Sequence, residues 1–179
     1  DAINGFFIIL EDQYAVGDVI NVGEVSGLVE NMNLRITQLR DGEGRLITIP
    51  NSEIKIVANL SSQWSRADLN IPVAYQADID KAIELLVQVA EGMSQEPIWR
   101  DNIIEPPEVL GIDNFADRGI IIKVWIKTEP LKQWDVSREF RRRIKIAFDR
   151  AGIPIPLPQQ QIWFDSNSKQ HLDLNNLKS

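Results

Sequence analysis

The sequence predicts an α+β chain of two successive units: a small five-stranded β-barrel of the SH3-like or Sm-like kind, then a ferredoxin-like βαββαβ unit. Three observations predict it. Gly17, Gly23, Gly27, Gly42 and Gly44 punctuate a run of short β-rich pieces. From Arg66 onward the pattern changes to one long alternating strand followed by a helical stripe. A hairpin and a second helix then complete the order β-α-β-β-α-β, the split βαβ arrangement. At 179 residues the chain has room for one ordinary domain or two small ones.

Residues 1–12 form an apolar stub in which Ile3, Phe6, Phe7 and Leu10 fall on one helical stripe. Two readings stay open at this point: a helix docked on the core, or the last turns of a longer hydrophobic helix. The barrel unit is expected over 13–65. Its strands are read at Asp18–Val22, Val25–Met32, Leu34–Arg40, Arg45–Ile49 and Val57–Ser62. Asp41-Gly42-Glu43-Gly44 is a hairpin turn, since glycine supplies the positive φ it needs. Pro50 ends the fourth strand because it cannot donate to a ladder. Asn51 is expected to cap a single helical turn at Ser52–Lys55.

The second unit is expected over 66–164. Ala67, Leu69, Ile71, Val73 and Tyr75 alternate as a strand. Asp78 caps a helix running to about Gly92, with Ile79, Ala82, Ile83, Leu86, Ala90 and Met93 as its buried stripe. A proline-containing connection, Glu96 to Pro107, leads to a hairpin of Glu108–Asn114 and Ile120–Thr128. A second helix spans Gln133 to Ala151, with Val136, Phe140, Ile144, Ala147 and Phe148 inward and Gly152 at its C-cap. Gln161–Phe164 is the last strand. It is short, follows three prolines and has few partners within the chain, so its edge invites pairing with copies of itself. Residues 165–179 are a polar tail.

Composition argues against several functions. No cysteine is present, and the single histidine, His171, lies in the tail, so a thiolate nucleophile, a His-based triad or a multi-His metal site is not expected. There is no Gly-rich phosphate loop after a strand, no nucleophile elbow and no metal-ligand spacing, so neither an enzyme nor a cofactor is predicted. Net charge is −7, which weighs against nucleic acid as a partner. An RNA-binding module would need exposed aromatics on a basic sheet. The longest apolar run, Phe6 to Leu10, is far below the ~20 residues a membrane-spanning helix needs. The start at Asp1 without methionine is read as that of a fragment or processed product.

Several short pieces follow one another along the chain: Glu11-Asp12-Gln13, Val16-Gly17-Asp18-Val19-Ile20, Gly27-Leu28-Val29-Glu30, Leu34-Arg35-Ile36-Thr37 and Leu39-Arg40-Asp41. Ile47-Thr48-Ile49-Pro50-Asn51-Ser52 and Asn59-Leu60-Ser61 follow, then Val73-Ala74-Tyr75 and Gly152-Ile153-Pro154-Ile155-Pro156. In this order and spacing the chain resembles the MscS family of mechanosensitive channels over about residues 1–164. The resemblance implies that residues 1–12 are the cytosolic end of a pore-lining helix whose upstream membrane helices are missing here. It implies a homoheptamer in the cell membrane, this portion facing the cytoplasm as a cage with side portals. Ions and small osmolytes would pass through it. The Gln161, Ile162, Trp163 and Phe164 strands of all subunits would pair at its base.

On the same resemblance, Asn51 and Ser52 face the end of the pore helix, with Asp1 nearby, and couple barrel to gate. Arg66 and Asp68, at the junction of the two units, would line a portal, where a ring of carboxylates favours cations. The simpler readings are a local cap for Asn51 and a solvated strand edge for Asp68. Arg138, Arg141, Arg142, Arg143 and Lys145 make the second helix basic. That is a solvated face or, alternatively, an anion site in a nucleotide-sensing domain. Trp125 lies opposite the apolar face of its strand and suits a subunit contact.

Overall fold

The computed structural model describes residues 13–156. The first unit is one antiparallel sheet of strands β1 (Val19–Val22), β2 (Val25–Met32), β3 (Ile36–Arg40), β4 (Leu46–Pro50) and β5 (Ala58–Asn59), in the order β4-β3-β2-β1-β5. It curls around Tyr14, Ile20, Val29, Leu39 and Ile54. Burying side chains of this size contributes about 1.5–3 kcal/mol each. The register shifts between Val29 and Asn31, a bulge that adds the bend a closing sheet needs. Gly27 permits the close approach of β2 to β3, since a Cβ there would lie 2.5 Å from the Arg40 carbonyl oxygen. In the β3–β4 hairpin the Asp41 carboxylate accepts from the backbone N–H groups of Glu43 (3.0 Å) and Arg45 (2.8 Å).

The second unit contains β6 (Ser65–Val73), α1 (Ile79–Gln95), α2 (Pro97–Arg100), β7 (Glu108–Phe115), β8 (Ile120–Thr128) and α3 (Gln133–Ala151). Its sheet has the order β6-β8-β7, antiparallel throughout. This is the ferredoxin-like order up to its final strand. β6 and β8 alternate strictly, so Ala67, Leu69, Ile71, Val73, Ile122, Val124 and Ile126 meet Leu86, Met93, Phe140 and Phe148 of the helices in one core. The opposite sheet face keeps its polar residues. Asp78 caps α1, accepting from the Lys81 N–H at 3.2 Å, and Gly152 closes α3 with a φ of 70°.

The elements fall where the periodicity predicts, with local differences of identifiable cause. β3 starts at Ile36 rather than Leu34, because Asn33 Oδ1 accepts from the N–H groups of Arg35 and Ile36 and turns the chain there. β5 is cut to Ala58–Asn59 because the Asn59 and Ser61 side chains engage each other and Asp18. β6 ends at Val73, leaving Tyr75 half exposed with its hydroxyl donating to the Ala116 carbonyl. α1 runs past Gly92 to Gln95, and the proline-containing connection holds the one-turn helix α2, with Pro97 in its first turn. The Gln161–Phe164 strand, the stub at 1–12 and the tail at 165–179 lie outside the described residues.

Candidate coupling turn and portal surface

Pro50 ends β4, and the chain makes a single 3-10 turn at Asn51–Glu53. The sequence expectation that Asn51 caps a turn at Ser52–Lys55 fails: the turn is Asn51–Glu53, no side-chain cap bond forms, and Asn51 is 2% exposed. Its side chain points inward instead. Asn51 Nδ2 donates to the Asn33 carbonyl at 2.7 Å, and Asn51 Oδ1 accepts from the Thr37 hydroxyl at 2.8 Å. Thr37 has only one hydroxyl proton to give, so the Tyr14 hydroxyl, 2.9 Å from Thr37 Oγ1, donates to it. The result is a buried, directional chain from Tyr14 through Thr37 and Asn51 to the β2–β3 loop. Each link is satisfied, which is what burial of polar groups demands. Ser52 is exposed, and buried Ile54 follows the turn, its N–H donating to the Asn51 carbonyl at 3.1 Å. Asp1 lies outside the described residues.

Arg66 and Asp68 both stand on the exposed face of β6, opposite the core. Neither is a lone solvated charge. The Asp68 carboxylate takes the Lys123 ammonium at 3.0 Å and the Trp125 indole N–H at 3.0 Å. The Lys123 hydrogen bond, assisted by that of Trp125, holds the Asp68 carboxyl below its ordinary pKa. The Arg66 guanidinium lies 4.1 Å from the centre of the Trp125 ring and 5.1 Å from that of Trp64. Lys127 stands 4.6 Å over Trp64 and pairs with Glu105 at 3.0 Å. Cations over indole rings and an ion pair thus knit β6 to β8 on this face.

The basic helix α3 is laced with acids. Glu139 takes Arg142 at 2.7 Å and Arg143 at 2.9 Å, and Arg143 reaches across to Glu96 beside α1 at 2.5 Å. Arg138 pairs with Asp135 and Lys145 with Asp149. Hydrogen bonds from Arg142, then Arg143, lower the Glu139 pKa to about 2. Arg138, Arg142, Arg143 and Lys145 are thus engaged within the helix pair, while no ion pair of exposed Arg141 is seen among the described residues. The engaged four fit a solvated face better than an anion site.

The structure therefore brings Arg66 and Asp68 together with Trp64, Lys123 and Trp125, and joins Asn51 to Tyr14 and Thr37. Sequence reasoning did not single out Tyr14, Thr37 or Lys123. The sequence holds half the signal for Lys123, since residues 123, 125 and 127 alternate with the apolar positions of β8; the register that sets Asp68 opposite Trp125 comes only with the fold. Gln161, Ile162, Trp163 and Phe164 lie outside the described residues.

A small β-barrel followed by a ferredoxin-like unit is the architecture of this chain, and two family models match its two units in turn. The family model "Mechanosensitive ion channel, beta-domain" matches residues 1–62, and "Mechanosensitive ion channel MscS, C-terminal" matches residues 67–155. The chain belongs to the MscS family. It is 41% identical over 162 residues to the small-conductance mechanosensitive channel of Caldanaerobacter subterraneus, covering 90% of this chain and 56% of that one. It is 34% identical to the moderate conductance mechanosensitive channel YbiO of Escherichia coli, over 90% of this chain and 22% of the relative. Helicobacter pylori MscS in a closed state has the same fold, with a TM-score of 0.71 at 24% identity, covering 92% of this chain and 64% of that chain. The chain spans little more than half the length of the first two curated relatives it matches, 56% and 59%. No helix among the described residues is long and apolar enough to cross a membrane.

Proposed function

We propose that this chain is the cytosol-facing cage portion of a mechanosensitive channel subunit in the cell membrane. The whole channel releases ions and small osmolytes when the membrane is stretched. It is a homoheptamer, anchored by transmembrane helices upstream of this chain and closed at its base by the Gln161–Phe164 strands. In this proposal residues 1–12, Asp1 included, belong to the end of the pore-lining helix and take part in the coupling to the Asn51 turn. Ser52 presents the turn to that helix, while Arg66 and Asp68 line the portals.

The observation that carries the coupling role is the chain of hydrogen bonds from Tyr14 to Asn51. Tyr14 is the first core residue after the incoming segment, and its hydroxyl is tied through Thr37 to the Asn51 side chain. A displacement of that segment thus has a short, packed path to the turn. The fold and the family support the remainder. The test is patch-clamp recording of the full-length gene product in liposomes, with mass measurement of the detergent-solubilised complex. Tension-gated current and a sevenfold mass are expected. No current up to membrane rupture, or a monomeric full-length protein, overturns the reading.

A further inference from the structure

The connection between the two units carries more constraint than a linker needs. Its barrel end is fixed: the Leu60 N–H donates to the Val19 carbonyl at 2.8 Å, and Ser61 Oγ accepts from the Val19 N–H at 3.1 Å. The chain then folds into a three-residue turn, with the Trp64 N–H on the Ser62 carbonyl at 2.7 Å and Gln63 at a φ of 65°. That is the rare, strained form of such a turn. Across from it, Leu131 in the β8–α3 connection has a φ of 67°. These two are the non-glycine residues with positive φ among the described residues. A left-handed leucine or glutamine persists only where its surroundings hold it.

Ser65 is what stands between them. It is 3% exposed. Its hydroxyl donates to the Leu60 carbonyl at 2.8 Å and accepts from the Leu131 N–H at 3.2 Å. One oxygen therefore bonds the end of the barrel unit and a loop of the ferredoxin-like unit at once. Ser65 is also the first residue of β6 and the register partner of Thr128, so it is anchored in the sheet.

We infer that Ser65 is a positioning residue: its hydroxyl is a latch that closes a strained elbow and fixes the angle between the barrel and the ferredoxin-like unit. Removal of the hydroxyl leaves the Leu131 N–H and the Leu60 carbonyl without partners. It also frees Gln63 and Leu131 to relax toward ordinary backbone conformations. The units keep their cores and lose their fixed mutual orientation.

The chain has no cysteine, so spin labels can be placed at will. A pair at Glu43→Cys and Glu84→Cys reports between the units, and a pair at Glu84→Cys and Asp117→Cys reports within the second. Labelled chain is diluted into unlabelled chain so that distances between copies do not contribute. Ser65→Ala is expected to broaden the inter-unit distance distribution and leave the intra-unit one narrow. Exchange of the Leu131 amide is expected to quicken about tenfold. Ser65→Thr, which keeps the hydroxyl, is expected to restore both. Should Ser65→Ala fail to fold, insertion of one glycine between Gln63 and Trp64 tests the same elbow with the hydroxyl in place, and the same inter-unit broadening is expected. An inter-unit distribution unchanged in a folded variant, or equal broadening within the second unit, overturns the inference.

Discussion

Trp125 donates its indole N–H to Asp68 across the β6–β8 ladder, where the two residues are direct register partners. The same carboxylate takes the Lys123 ammonium, so Asp68 is held in place by two neighbours on one strand. A carboxylate fixed in this way contributes a charge of defined position to this face of the sheet, yet one partly offset by its partner.

Reversal of the Asp68 charge is expected to change ion preference in the full-length channel. Asp68→Lys places a second ammonium beside Lys123 and shifts the reversal potential under a salt gradient toward anions. Measurement is by patch clamp with asymmetric salt. An unchanged reversal potential removes Asp68 from the filter.

Thr37→Val is expected to destabilise the barrel unit by about 1–3 kcal/mol, since it strands Asn51 Oδ1 and the Tyr14 hydroxyl inside the core. Tyr14→Phe removes the first donor of the chain and leaves Thr37 bonded to Asn51, so it is expected to cost less, about 0.5–1.5 kcal/mol. Urea unfolding followed by tryptophan fluorescence orders the two. A Thr37→Val midpoint equal to that of the parent would show that the hydroxyl chain contributes nothing to the fold.

Phe140→Ala is expected to cost about 3–5 kcal/mol and Leu86→Ala about 2–5 kcal/mol, because both side chains are fully buried where the helices meet the sheet. Thermal or urea melts measure this. Trp134→Ala, at a 41% exposed site on α3, serves as the surface control and is expected to move the midpoint much less.

Acid is expected to loosen the α1–α3 face in a defined window. The folded pKa of Glu139 is depressed to about 2 from an ordinary 4.5, so its contribution is full above about 4.5 and is lost as pH falls toward 2. Glu96, lowered chiefly by its hydrogen bond to Arg143, acts in the same direction. Glu139→Gln should flatten the pH dependence of the melting temperature below pH ~4.5. An equally steep dependence in the variant would assign the acid sensitivity to other carboxylates.

Much of the architecture was legible because it rests on periodicity. The alternation of β6 and β8 and the stripe of α1 describe burial directly, and burial is what the core enforces. The misread places are those where a side chain overrode the pattern. Asn33 delays β3, Asn59 and Ser61 cut β5 short, and Asn51 turns inward where a cap would have pointed along the chain. Cap and buried acceptor demand the same residue type, so only Tyr14 and Thr37, brought near by folding, decide between them. On the exposed face of β6 Asp68 was visible as a charge, but its partners lie on a strand more than fifty residues away. Their identity depends on register, which single-strand patterns do not contain.

The proline of β6 has a consequence for the newly made chain. β6 is an end strand of its sheet among the described residues, and Pro72 stands in it without an N–H to offer, near exposed Asn70, Asp68 and Arg66. Such a rim, part charged and part unable to donate, is a poor template for fibril growth. Along its described length, that side of β6 therefore resists indiscriminate strand addition while the chain is being made.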